Sequence, residues 1–79
     1  MTSAPHPGRL LLATVIRPQY GTVTAFAKTL KMARANVSRL TNGEVAISLP
    51  MARRLEKLGH GTARAWLVLQ MDWDLENAP

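Results

Sequence analysis

Two arginines, Arg34 and Arg39, stand in the stretch RANVSRLT together with Ala35, Asn36 and Ser38. These are side chains that can read the edges of nucleic-acid bases. A guanidinium hydrogen-bonds bidentately to guanine O6 and N7, and an alanine can touch a thymine methyl group. Val37 and Leu40, spaced by three, would pin one side of a short helix to a core. The opposite side then offers Arg34, Ala35, Ser38 and Arg39, with Asn36 beside them. No acidic side chain lies in this stretch to repel phosphates. The candidate base-contacting residues are therefore Arg34, Ala35, Asn36 and Arg39. A merely solvated helix face is the alternative, but a position on the exposed side of a turn-preceded helix favours DNA.

A second set could bind the phosphate backbone without reading sequence. Thr22 and Val23 open a helix whose first amides are free and lie at the positive end of its dipole. The Asn42–Gly43 turn would offer a further pair of amides. Lys28 and Ser38 complete the candidate phosphate-contacting set of Thr22, Val23, Lys28, Ser38, Asn42 and Gly43.

Other chemistry is poorly provided for. There is no cysteine, so neither a disulfide nor a thiolate metal site can form. His6 and His60 have no matching ligand set, which argues against a metal and for exposed or capping roles. The carboxylates are few and late, and Asp72 and Asp74 fall on different helix faces. No Ser/His/Asp set and no glycine-rich phosphate loop is present. The expectation is a non-enzyme with no cofactor and no small-molecule substrate.

Charge supports the nucleic-acid reading. Ten Lys and Arg face five Asp and Glu, for a formal net charge of +5, and no acid precedes Glu44. Arg9, Arg17, Lys28, Lys31, Arg34 and Arg39 make the first half wholly cationic, which concentrates a polyanion near it. An anionic membrane surface is the competing partner. The longest apolar run, Leu10 to Ile16, is far short of the roughly 20 residues that span a bilayer, so no membrane partner is expected and a cytoplasmic location is.

The elements that must position these residues are helices. His6-Pro7-Gly8 opens the first, its apolar face repeats as Leu11/Val15 and Leu12/Ile16, and Pro18 stops it. Thr22 caps the second, with Val23, Phe26, Ala27 and Leu30 on one side. Lys31-Met32-Ala33 connects it to the third, Arg34 to Thr41, which Asn42-Gly43 ends. Ser48 caps the fourth, with Met51, Ala52, Leu55 and Leu58 inward and Arg53, Arg54 and Lys57 outward. Thr62 caps the fifth, which runs to about Leu75. The spacing predicts an all-α fold of five helices with a helix-turn-helix at its centre. One domain at 6–75 is expected, between a disordered 1–5 and a short tail at 76–79. At 79 residues a single core leaves little stability to spare, so a homodimer is expected. Trp66, Leu69 and Trp73 form a stripe on the fifth helix, broadened by Leu67, Val68 and Met71, and are its candidate interface.

His6-Pro7-Gly8, Leu10-Leu11, Ile16-Arg17-Pro18, Asn42-Gly43, Ile47-Ser48-Leu49-Pro50 and Trp66-Leu67-Val68-Leu69-Gln70 occur in that order. The ordered set resembles the HigA-type antitoxins, a branch of the XRE (Cro/C1-type) helix-turn-helix regulators, over His6 to Leu75. The resemblance implies a lambda-repressor-like domain and a dimeric autorepressor bound to double-stranded operator DNA. It also implies a partner toxin of the HigB type, an mRNA-cleaving ribonuclease. Arg34, Ala35 and Arg39 match the family's base-contacting positions, and Thr22, Val23, Ser38 and Asn42 its phosphate-contacting or flanking ones. Three positions depart from the family pattern: Arg9 stands in place of Glu, Ala33 in place of a Ser or Thr cap, and Glu44 in place of Lys. An orphan or phage-type regulator of the same fold, without a toxin, is the alternative.

Overall fold

The computed structural model describes residues 5–77. Its elements are α1 (Pro7–Leu11), a π-helical segment (Leu12–Tyr20) continuous with it, α2 (Val23–Leu30), α3 (Arg34–Thr41), α4 (Leu49–Lys57) and α5 (Ala63–Asn77). No strand occurs among the described residues. Residues 1–4 and 78–79, which hold most of the expected disordered start and half of the expected tail, lie outside them. Glu76 and Asn77 belong to α5, two residues past its expected end.

Side chains placed just ahead of the helices explain where they start. Thr22, Ser48 and Thr62 accept the amides of Ala25, Met51 and Ala65. Each bond satisfies a donor that the helical ladder leaves free. His6 caps α1 by accepting the Gly8 amide on Nδ1 at 3.0 Å. It is buried rather than exposed, and its ring meets Trp73 edge-on at 5.2 Å. Burial, then the Arg9 charge, lower the imidazole below its ordinary pKa of 6.5, against opposing contributions from Asp74 and a hydrogen bond with the Val45 backbone.

Pro18 does not stop the first helix. A proline ring collides with the carbonyl four residues back in an α-helix. Here the helix widens instead, and it closes with the Gly21 amide on the carbonyl of Ile16, five residues back, at 2.7 Å. Tyr20, at the end of this segment, packs edge-on against Phe26 and hydrogen-bonds His60 at 2.7 Å.

Leu11, Ile16, Phe26, Val37 and Leu55 are fully enclosed and draw the helices onto one core. Burying each such side chain contributes about 1.5–3 kcal/mol before the entropy of ordering it. Gly8 lets α1 lie directly on the back of α3, since a Cβ there would overlap the carbonyl of Leu40. Leu58 was expected inside but is 40% exposed, because α4 ends at Lys57 and the chain turns out through Gly59.

Candidate nucleic-acid interface

The helix-turn-helix consists of α2, the turn 31–33 and α3. Lys31 makes the turn possible by adopting a left-handed conformation, φ 58°, at the C-terminus of α2. Arg54 of α4 then closes it from behind. Its Nη1 donates to the carbonyls of Leu30 at 3.0 Å and Lys31 at 3.4 Å. Arg54 is thus a strut rather than part of a purely solvated face with Arg53 and Lys57, which are exposed.

On α3, Val37, Leu40 and Thr41 face the core, and the Thr41 hydroxyl donates to the Ser38 carbonyl at 2.9 Å. Arg34, Ala35, Asn36 and Arg39 are exposed together on the outer side. Arg39 has no hydrogen-bond or ion-pair partner among the described residues, so its whole fork is available. Arg34 is steadied through Nε, which donates to Thr24 Oγ1 of α2 at 2.8 Å. That bond aims the guanidinium and leaves both terminal nitrogens without a partner among the described residues. Thr24 was not anticipated, because a contact between two helices has no signature in the spacing along either one.

Thr22 and Val23 stand at the start of α2, where the Val23 amide precedes the helical ladder. Lys28 is exposed on the last turn of the same helix, and Ser38 is half-buried. The Asn42–Gly43 turn does not supply free amides. The Asn42 amide donates to the carbonyl of Ser38 and the Gly43 amide to that of Leu40, each at 3.0 Å, because the last turn of α3 folds its own donors back. The Asn42 side chain reaches Glu44 instead, Nδ2 to Oε2 at 3.4 Å.

Two of the departures acquire roles. Arg9 donates to the carbonyl of Asn42 at 3.4 Å, which sets a cation at the negative end of the α3 dipole. Ala33 gives α3 no side-chain cap, so no side chain ahead of the helix accepts its first amides.

The stripe proposed for α5 divides. Trp66 is a core residue, 6% exposed, and its Nε1 donates to the carbonyl of His60 at 2.6 Å; it cannot form a subunit interface. Leu69 and Trp73 are half-buried on the same inward side. Gln70, unanticipated, is buried there. Its Oε1 accepts the Ile47 amide at 2.8 Å, and its Nε2 donates to Asp74. The outward side carries Val68, Met71 and Leu75, 41%, 52% and 75% exposed. No cluster of three or more potential metal ligands occurs among the described residues. No helix of the described residues is long and apolar enough to cross a membrane.

No family model matches the chain. Virulence-associated protein A' of Dichelobacter nodosus is 37% identical over 76 residues, covering 95% of this chain and 65% of its own length. Virulence-associated protein A of the same organism is 34% identical over 76 residues, covering 95% and 74%. The chain thus spans about two thirds to three quarters of these curated relatives. Among solved structures, an addiction module antidote protein of the HigA family from Coxiella burnetii superposes with a TM-score of 0.87 at 28% identity, over 98% of this chain and 84% of that one. The antitoxin HigA of Pseudomonas aeruginosa, solved with the higBA promoter, also gives 0.87 at 28% identity, over 95% and 82%. By sequence the chain belongs to the family of virulence-associated protein A, and in architecture it has the HigA-type antitoxin fold.

Proposed function

We propose that this protein is the antitoxin of a type II toxin–antitoxin system: a sequence-specific repressor that binds its own operator as a homodimer and neutralises a HigB-type ribonuclease toxin. One observation carries the DNA-binding part. A short helix seated on the core by Val37 and Leu40 presents two arginine forks outward, one without a partner among the described residues and one aimed through a single nitrogen. Arg34, Ala35, Asn36 and Arg39 would meet base edges, while Thr22, Val23, Lys28 and Ser38 would lie against phosphates. The P. aeruginosa HigA, solved with its promoter, supports the same use of this fold. The outward side of α5, with its exposed Val68, Met71 and Leu75, is the surface we assign to the dimer. Two copies joined there would address successive major grooves about 34 Å apart. The protein acts by binding, without catalysis, in the cytoplasm.

The test is binding to the DNA upstream of its own gene, against a random duplex of equal length. Tight, salt-dependent binding to the first is expected. Arg39→Ala should weaken it by about 1–3 kcal/mol and leave the random duplex nearly unaffected. Equal affinity of the unaltered protein for both duplexes would reject sequence-specific repression.

A further inference from the structure

We propose that Val45 is a thymine-reading residue, which together with Met32 forms the apolar wall of a hollow that receives the 5-methyl group of a pyrimidine in the major groove. The inference rests on the DNA-reading function above. It adds to that function a specificity-determining side chain that lies outside the recognition helix.

Val45 is 41% exposed, whereas Ile47, two residues on, is buried. A β-branched apolar side chain is thus left out of the core on the connection from α3 to α4. It borders a hollow of about 260 Å³ shared with Met32, Asn36 and Arg39, whose floor includes the buried Leu40 and Met51. The hollow is continuous with the exposed outer side of α3, and two of its lining residues are candidate base readers. Its walls differ in chemistry. Asn36 and Arg39 supply polar hydrogen-bonding groups, while Val45 and Met32 supply none. In the major groove the apolar feature of a base pair is the thymine methyl group, and the other edge groups are donors or acceptors. An apolar wall beside two polar readers therefore matches a thymine next to the bases they address.

The wall is also held in place. The Glu44 and Gly43 amides fold back onto the carbonyls of Arg39 at 2.9 Å and Leu40 at 3.0 Å. The Ile47 amide is tied to Gln70 Oε1 at 2.8 Å. Val45 sits between these anchors, so contact with a methyl group would not first have to order a loop.

The experiment begins by selecting the tightest duplexes from a randomised pool with the unaltered protein. Each thymine of a selected site is then replaced singly by deoxyuridine, which keeps base pairing and removes only the methyl. One position in each half-site is expected to lose about four-fold in affinity, the worth of one buried methyl-sized group. Val45→Ser should bind the thymine and deoxyuridine duplexes alike, and Val45→Thr, which keeps one methyl, should fall between. Circular dichroism is expected to be unchanged in both variants, since Val45 is exposed. Selected sites that hold no thymine, a site insensitive to every deoxyuridine, or an undiminished sensitivity in Val45→Ser would each overturn the proposal and leave DNA reading intact. Failure to enrich any duplex would overturn both.

Discussion

The outer side of α3 and the outer side of α5 are both exposed helix surfaces, yet they are built on opposite lines. The first is largely polar: Arg34, Ala35, Asn36 and Arg39 stand over a helix whose large apolar residues, Val37 and Leu40, are turned inward. The second is apolar on a helix that also buries Trp66 on the far side, and its end carries Asp72, Asp74 and Glu76. A surface meant for a polyanion must keep its cations free and its backbone rigid. A surface meant for a second copy of the chain must offer area that water would rather leave. On the proposed function these demands fall on separate helices; α1 lies behind the first, and Arg54 of α4 holds the turn that precedes it.

That division can be broken at its support. Gly8→Ala places a methyl group against the carbonyl of Leu40, and backbone cannot yield as a side chain would. We expect a loss of about 1–3 kcal/mol in urea denaturation and weaker DNA binding, because α3 loses its seat. A variant as stable as the parent would show that α1 can retreat without cost. The second prediction separates the two surfaces. Met71→Arg with Leu75→Arg should convert a dimer to a monomer in sedimentation, with fold stability altered by no more than about 0.5 kcal/mol. Affinity for a two-half-site operator should fall while a single half-site is bound as before. A dimer that persists would remove α5 from the interface.

The smallest effect concerns His6, which lies between the two regions against Trp73 and the Val45 backbone. Its folded pKa lies below the 6.5 of the unfolded chain, so the unfolded state takes up a proton first as pH falls. Its contribution is therefore fully present above about pH 6.5 and declines below that value as protonation removes the Nδ1 acceptor of the Gly8 amide. Denaturation midpoints at pH 7.5 and 5.0 should differ less in His6→Asn, whose side-chain oxygen can still cap the helix. An unchanged difference would assign the acid sensitivity elsewhere.

Much of the helix-turn-helix was legible in the sequence because local chemistry decides it. Thr22, Ser48 and Thr62 announce helix starts, Gly43 (φ 77°) supplies the left-handed residue after α3, and Val37 and Leu40 name the buried side. What was not legible depends on distant partners. Helix α5 is apolar on both sides, so periodicity could not decide whether Trp66 or Met71 pointed inward. Gln70 reads as surface until the Ile47 amide is found beside it. Pro18 reads as a stop because the wider π-helical ladder leaves no trace in residue spacing. The free amides expected at Asn42 and Gly43 were lost for a related reason: whether a turn turns its donors inward or outward is a matter of backbone angles.

The Arg54 strut across the end of α2 has one more consequence. It joins α4 to the end of α2 through the two carbonyls that a freely hinged turn would leave to water. The end of α2, where the turn into α3 begins, is then held before any partner arrives, and less conformational freedom remains to be surrendered on docking. Adaptation to a new target would have to come from exchanging the side chains on the outer helix rather than from tilting it.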